Sequence, residues 1–149
     1  MTLEEKATNF ETMRHIERVR NLLNQMVVDL LRRGEEHDQS KLDSPEVELF
    51  TEYTSKLKDV TYGSPEYNSF LAAMKPALDH HYANNSHHPE HWPNGIEDMS
   101  LMDLIEMFCD WKAASERHND GNILKSIEKN TTRFGMSQQL ARIFANTAK

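Results

Sequence analysis

The chain has 149 residues, of which 28% are charged and 38% are hydrophobic, and its formal net charge is −7. This composition predicts one globular domain over residues 1–149, long enough to build a core without disulfides. The negative charge argues against duplex nucleic acid as the default partner, because phosphate contacts require clustered Lys and Arg. It still permits a small phosphorylated ligand, which a bound cation can attract locally.

Cysteine usage and hydropathy indicate the compartment. The single cysteine, Cys109, cannot form a disulfide within the monomer and favours a reducing environment. No apolar run approaches the roughly 20 residues of a membrane span, and the acidic, polar residues 1–6 do not resemble a signal peptide. The sequence therefore predicts a cytoplasmic protein without a membrane partner, and a homo-oligomer is compatible with it.

Residues 9–33 are predicted to form one long amphipathic helix. Apolar side chains recur there at spacings of three and four residues, which is the helical period, and Gly34 is a typical stop signal. His15 lies four residues before Val19 on the apolar face, so we expect it to be buried. A lone histidine at such a position is more often a core residue than a ligand, but the other histidines favour a ligand.

Two Ser-Pro-Glu sequences predict helix starts in the middle of the chain. A short helix is expected to follow His37-Asp38, and Ser44 and Ser64 are then expected to be N-caps with proline in the first turn. Tyr62-Gly63 should end the helix that begins near Ser44. The helix from Ser64 should continue into a histidine cluster, with a kink or a break at Pro76.

The segment from residue 84 onward predicts a loop and three further helices. Residues 84–99 contain three Pro and Gly residues and indicate a loop, and Ser100 with Asp103 forms a capping-box start. That helix is expected to end at Asn119-Asp120-Gly121. No alternating strand pattern or internal repeat is present. The predicted fold class is all-α, a single bundle-like domain of about six or seven helices, the last two over residues 123–133 and 137–146.

The histidine cluster is the feature that indicates chemistry. Five of the eight histidines lie within residues 80–91, and imidazole is the commonest protein metal ligand. Upstream, an adjacent His and Asp can bind a metal together, and the two Asp oxygens can bridge two metals. The predicted metal ligands, in chain order, are His15, His37, Asp38, His80 or His81, His87 or His88, and Asp110.

The paired histidines leave alternatives open. His81 is preferred to His80, because it lies near the helix face that carries Met74 and Leu78, although both can ligate. Between His87 and His88 the sequence gives only a slight preference for His88.

Three carboxylates compete on one face of the helix after Ser100, namely Asp103, Glu106 and Asp110. Asp110 is preferred because it lies mid-helix between Phe108 and Trp111, where an unpaired carboxylate would be costly. The alternative is a salt bridge from Asp110 to a buried arginine.

The ligand set limits the metal without choosing it. Nitrogen and carboxylate ligands together suit Fe, Mn, Zn, Co or Ni, as one or two ions. Two ions about 3.5–4 Å apart can clamp a phosphoryl oxygen and supply a hydroxide nucleophile. A structural zinc site is usually closed by four Cys or His ligands, whereas this set would leave coordination positions open.

Two further residues are candidates for catalytic roles. Lys41, one helical turn after Asp38, can contact a substrate phosphate as a point charge; the alternative is an exposed helix lysine. Glu90 can be a further ligand or a general acid; the alternative is a surface carboxylate in a loop.

At these residues the chain resembles the HD-domain superfamily of metal-dependent phosphohydrolases, whose signature is H…HD…H…H…D. The segment His37-Asp38-Gln39-Ser40-Lys41 is similar to the HD-x-x-K form of its cyclic-dinucleotide phosphodiesterase and inositol-oxygenase branches. The segment His87-His88-Pro89-Glu90-His91 loosely resembles the His-His-Glu stretch of the phosphodiesterase branch. It departs from that branch by the inserted Pro89, by the absence of Gly-Tyr-Pro, and by a shorter spacing from His81 to His88. The whole chain resembles an uncharacterised HD-like family of phage and bacterial proteins.

The resemblance covers residues 15–110 and implies a function as well as a fold. It implies an HD-type helical domain that hydrolyses a nucleotide or another small phosphate ester through a mononuclear or dinuclear metal site. A second hypothesis is a mixed-valent di-iron oxygenase, the other chemistry that HD scaffolds host. A third is a non-catalytic binding protein on the same scaffold, such as a phage factor that binds a host protein.

Overall fold

The computed structural model describes residues 1–61, 64–117 and 121–149, without the side chain of Lys58. The described residues are about 80% helical and contain no strand, which confirms the predicted all-α class. None of the described helices is both long and apolar enough to cross a membrane. Six α-helices are present in these ranges: α1 (Leu3–Glu36), α2 (Glu46–Lys58), α3 (Pro65–Asn84), α4 (Leu101–Ser115), α5 (Ile123–Phe134) and α6 (Gln138–Thr147).

Three 3₁₀ helices connect the α-helices, at Gln39–Leu42, Pro89–His91 and Gly95–Asp98. The first is the short helix that was expected after His37-Asp38. The other two lie in the predicted loop between α3 and α4. The chain divides into two compact units, Met1–Glu35 and Glu36–Lys149, and the single domain expected from length stays a prediction.

The N-terminal unit consists of α1, which is longer than predicted at both ends and continues through Gly34. The prediction that its apolar face is buried was wrong. No residue of α1 is buried: Met13 is 68% exposed and Leu31 is 65% exposed, and His15 is exposed as well. The helical period shows that apolar side chains share a face, but it does not show that anything covers them.

The two Ser-Pro-Glu starts have different outcomes. At α3 the Ser64 hydroxyl accepts a hydrogen bond from the Tyr67 amide at 3.1 Å and Pro65 is the first helical residue, as predicted. At α2 the predicted N-cap Ser44 was wrong, because the N-cap is Pro45. There the chain leaves a 3₁₀ helix directly, and the Asp43 carbonyl accepts the first amides of α2 in place of a side chain.

Helix α3 carries the chain from its N-cap to the histidine cluster. It runs unbroken for 20 residues with Pro76 inside it, so the predicted alternative of a break was wrong. Tertiary packing keeps the helix continuous there, since Met74 and Ala77 on either side of Pro76 are buried. The predicted stop at Tyr62-Gly63 lies outside the described residues, and so does most of the stop at Asn119-Asp120-Gly121; α4 ends earlier, at Ser115.

The main core joins α4 to the two C-terminal helices. Its buried members are Met107 and Phe108 on α4, Ile127 on α5, Met136, and Phe144 on α6. The predicted capping box is present at the start of α4. The Ser100 hydroxyl and the Asp103 carboxylate each accept a hydrogen bond from the backbone amide of the other residue. This core matters for the site, because α4 also carries two of its carboxylates.

We predict that Phe144→Ala lowers the free energy of unfolding by about 3–5 kcal/mol, because it removes a buried ring and leaves a cavity. Phe144 is 5% exposed and its ring lies 5.4 Å from that of Phe108. Urea unfolding followed by circular dichroism measures the change. The control is Ile143→Ala, next to it on α6 but 52% exposed, which should change stability by no more than about 0.5 kcal/mol. Equal effects of the two substitutions would contradict the assigned core.

Candidate metal centre

Four segments of the C-terminal unit bring titratable side chains to one place. His37 and Asp38 lie between α1 and the first 3₁₀ helix, and His81 lies in the last turn of α3. His87 and His88 follow in the loop after α3. Helix α4 faces them with Glu106 and Asp110.

The centre of the site is a set of one carboxylate and three imidazoles. The Nε2 atoms of His81 and His87 lie 3.3 and 3.5 Å from Asp38 Oδ1. The Nε2 atoms of His81 and His88 lie 2.8 Å apart. One ligand atom from each of these four residues lies within 4.8 Å of every other. We call Asp38, His81, His87 and His88 the inner cluster.

Two buried atoms of the inner cluster need a partner. Within the described residues, Asp38 Oδ1 and His87 Nε2 are buried and make no hydrogen bond. A buried polar atom without a partner costs about 1–3 kcal/mol, and such atoms are few in folded proteins. A cation between the four ligand atoms would satisfy both of them.

The spacing of these atoms fits a metal ion. With bonds of 2.0–2.1 Å to nitrogen, neighbouring ligand atoms lie roughly 2.9 Å apart in octahedral and roughly 3.3 Å apart in tetrahedral coordination. The observed separations of 2.8, 3.3 and 3.5 Å cover that range. The other separations within the inner cluster are at most 4.8 Å, so the cluster can hold one metal ion.

Two glutamates orient the imidazoles. Glu46, which is fully buried, contacts His81 Nδ1 at 2.8 Å through Oε2 and His80 Nδ1 at 2.7 Å through Oε1. Glu106 Oε1 contacts His37 Nδ1 at 2.9 Å and His87 Nδ1 at 3.0 Å. A carboxylate accepts hydrogen bonds, so these contacts place the proton of each ring on Nδ1. The Nε2 lone pairs of His81 and His87 are then available to a metal ion.

A second group adjoins the inner cluster and shares Asp38 with it. His37 Nε2 lies 3.5 Å from Asp38 Oδ2 and 3.8 Å from Asp110 Oδ1, and these three residues can also hold an ion. Asp38 therefore presents one oxygen to each group, as a bridging carboxylate would. Lys41 Nζ donates a hydrogen bond to Asp38 Oδ2 at 2.6 Å, which is the oxygen that faces the second group.

The backbone at Asp38 is in the left-handed region, with φ of 56° and ψ of 14°. This conformation is uncommon for residues other than glycine, although Asp and Asn tolerate it better than most. It costs free energy that the surrounding contacts must offset, and such positions cluster at functional sites. Asp38 combines this backbone with contacts to both groups of ligands.

The electrostatics of the site favour the protonation states that metal ligands require. Burial lowers the pKa of His88 to about 3, helped by repulsion from His87 and His81, and burial also lowers the pKa of His81. Burial raises the pKa of Asp38, but the hydrogen bond from Lys41 and nearby positive charges outweigh it, so that pKa is lowered. At neutral pH, His81 and His88 are neutral and Asp38 is ionised, as metal binding demands.

The hydrogen bond to Glu106 raises the pKa of His37 above its ordinary value, although burial opposes this. The charges of Asp38 and Asp110 act in the same direction as that hydrogen bond. Of His37, His81 and His88, only His37 has a pKa shifted in the direction that favours a positive charge when no cation is bound.

The structure brings together six of the predicted ligands: His37, Asp38, His81, His87, His88 and Asp110. Both His87 and His88 belong to the inner cluster, so the slight preference for His88 over His87 does not separate them. His80 contacts Glu46 and Asn84 instead and is in none of the groups found among the described residues. His15 lies in the N-terminal unit, and its role as a ligand stays a prediction.

The two predicted catalytic residues have different surroundings. Lys41 lies beside Asp38, at the edge of the inner cluster. Glu90 contacts Arg133 Nη2 on α5 at 2.8 Å, so the expectation of a further ligand or general acid is not supported. The ion pair explains the acid in this loop: it connects the second 3₁₀ helix to α5.

Sequence reasoning undervalued both orienting glutamates. The sequence indicates Glu46 only as the acid after a Ser-Pro helix start, and Glu106 as a competitor of Asp110. The helix face that Glu106 shares with Asp110 is a signal that places it near the site, but it does not show that Glu106 contacts imidazole rings. For Glu46 the chain offers no such signal. The third competitor, Asp103, caps α4 and accepts a hydrogen bond from the Ser86 hydroxyl at 2.7 Å.

These features define an all-α protein with buried His, Asp and Glu groupings that can hold a metal ion. The chain belongs to DUF5662, a family of unknown function, whose model matches residues 4–149. Neither a search of curated proteins nor a search of solved structures found a significant match.

We predict that Glu46→Gln weakens metal binding by about 10–100-fold, the usual effect of losing a carboxylate that orients a ligating histidine. Gln keeps the size of Glu but loses the charge and cannot accept hydrogen bonds from both His80 and His81. Competition with a chromophoric chelator measures the affinity. The control Glu48→Gln, on the exposed surface of the same helix, should leave it unchanged. If Glu46→Gln also leaves the affinity unchanged, then Glu46 does not orient a ligand.

We predict that the metal-free protein loses stability as the pH falls from 6.5 to about 5. The pKa values of His81 and His88 lie below the ordinary 6.5, so in this window the unfolded chain binds more protons. The raised pKa of His37 contributes stability that is already complete below pH 6.5. The lowered pKa values of Asp38 and Glu46 change the stability only below about pH 4.5. Neither effect alters the prediction within this window.

The variant His88→Gln tests this, because Gln does not titrate. Its loss of stability over the same window should be smaller than that of the unmodified protein by about 1–2 kcal/mol. Urea unfolding in the presence of a chelator, at both pH values, measures the difference. Equal losses for the two proteins would show that His88 does not resist protonation in the folded state.

Proposed function

We propose that this protein is a metal-dependent phosphohydrolase of the HD type, which hydrolyses a nucleotide or another small phosphate ester. The main support is the inner cluster, where one carboxylate oxygen and three Nε2 atoms converge and two buried atoms have no hydrogen-bond partner among the described residues. Nitrogen and carboxylate donors suit Fe, Mn, Zn, Co or Ni. A cytoplasmic location, expected from cysteine usage, belongs to the same proposal.

Catalysis at the inner cluster requires an ion with more than four coordination positions. Four protein ligands fill a tetrahedral structural site, whereas an octahedral ion in the inner cluster would keep two positions for water and substrate. A bound divalent ion would polarise a phosphoryl oxygen and lower the pKa of a bound water. The surrounding protein would keep Asp38 ionised and His81 and His88 neutral, so that their lone pairs are available to the ion.

Lys41 has the position of a phosphate contact. Its side chain is 42% exposed and Nζ lies beside Asp38 at the edge of the inner cluster. An ammonium group there would neutralise charge on a substrate phosphate. No general acid is assigned, since Glu90 is paired with Arg133.

The mixed-valent di-iron oxygenase remains the second candidate, because the two adjoining groups share Asp38. Two irons bridged by this carboxylate would use the inner cluster on one side and His37 with Asp110 on the other. Elemental analysis after anaerobic purification separates the candidates. Two irons per chain with a mixed-valent signal, and no phosphate release, would favour the oxygenase.

We predict that protein loaded with Mn or Co releases inorganic phosphate from a panel of nucleotides and phosphomonoesters. Asp38→Asn should lower kcat/KM by at least ~100-fold, because it removes the charge that both groups share and several kcal/mol of transition-state stabilisation with it. The control Asp79→Asn, on the exposed surface of α3 with its partner Lys75, should retain activity. Full metal occupancy with no phosphate released from any compound would contradict the proposed function and favour a binding protein.

A further inference from the structure

A cleft of about 470 Å³ lies beside the inner cluster, between α2 and α3. We call it the α2–α3 cleft. Its inner end is formed by Lys41, His81 and His88, so it opens directly onto the proposed metal ion. Its volume is within the range of about 300–1,000 Å³ that is usual for small-molecule sites.

The walls of the cleft are mostly apolar. Helix α2 contributes Val47 and Phe50, and α3 contributes Met74 and Leu78. Both walls are helical, so their backbone amides and carbonyls are already bonded within each helix. A ligand in the cleft would therefore contact side chains, not backbone polar groups.

The cleft offers few groups that could recognise a nucleobase. Among the residues that the structure describes, its lining contains no Asp, Glu, Asn, Gln or Arg. Three residues, Thr51, Thr54 and Tyr82, add hydroxyls, and both threonines are exposed. Recognition of a base by its polar edges requires several placed donors and acceptors, and these walls do not supply them.

Charge in the cleft is confined to its inner end. Lys41 lines the cleft and also donates a hydrogen bond to Asp38 Oδ2, so its ammonium group is close to both the cleft and the inner cluster. An anionic head would be held there by the cation and Lys41 together. The rest of the ligand would then extend along the apolar walls.

We propose that the substrates are phosphomonoesters whose alcohol part is apolar, an alkyl or aryl group, and that nucleotides are poor substrates. This inference rests on the proposed function. In the reaction, water adds to phosphorus and the bond from phosphorus to the alcohol oxygen breaks. The alcohol leaves with one proton, and inorganic phosphate is the other product. The walls contribute by burying the alkyl or aryl group.

The test is to compare kcat/KM for methyl, ethyl, propyl, butyl and phenyl phosphate with that for adenosine monophosphate, all with the metal-loaded protein. Each added methylene that the walls bury should raise kcat/KM about fourfold. Butyl and phenyl phosphate should both exceed adenosine monophosphate. A higher kcat/KM for adenosine monophosphate, or no dependence on alkyl length, would overturn the inference and leave the proposed function intact.

The variant Val47→Asn links the effect to this cleft. Val47 is 38% exposed, so the substitution places an amide on the α2 wall without opening the core. The ratio of kcat/KM for butyl and methyl phosphate should fall at least fourfold. Leu124→Asn, a substitution of the same kind at a 52% exposed position on α5, should leave the ratio unchanged, and circular dichroism checks that both variants fold.

The remaining outcomes are also decisive. An unchanged butyl-to-methyl ratio in a folded Val47→Asn variant would place the apolar preference elsewhere and overturn the assignment of the cleft. Fully metal-loaded protein that hydrolyses none of these compounds would overturn the inference and the proposed function together.

Discussion

The site depends on two glutamates, each of which accepts hydrogen bonds from the Nδ1 atoms of two imidazole rings. Glu46 holds His81 at 2.8 Å, and Glu106 holds His87 at 3.0 Å. Each contact fixes a proton on the far side of the ring and turns the Nε2 lone pair toward Asp38. Without these carboxylates the rings could rotate and exchange tautomers, and the inner cluster would be several imidazoles close together with no common direction.

The need to orient these rings explains why the core and the site share helix α4. Helix α4 packs Met107 and Phe108 against α5 and α6, and it also carries Glu106 to His87 and Asp110 to His37. The capping box with Asp103 fixes where α4 begins and therefore which residues face each way. A carboxylate must lie within a few tenths of an ångström of its place to orient a ligand, and a packed helix provides that better than a loop.

Much of the local structure could be predicted because its causes are local. The starts of α3 and α4 follow from Ser64 and Ser100, whose hydroxyls accept hydrogen bonds from free amides of the first turn. The burial expected for α1 was wrong because burial requires a second surface, and periodicity says nothing about one. The N-cap expected at Ser44 was wrong because the carbonyl of Asp43, just after the 3₁₀ helix, already accepts hydrogen bonds from the first amides of α2.

The sequence by itself determined the all-α class and most of the groups that can hold a metal ion, because periodicity, caps and a dense run of histidines are visible without coordinates. Only the tertiary structure decided that His80 turns to Glu46 while His81, His87 and His88 meet Asp38, and that Glu90 pairs with Arg133. The physical reason is that a ligand is defined by where its lone pair points. That direction depends on partners such as Glu46, 35 positions away from His81 along the chain.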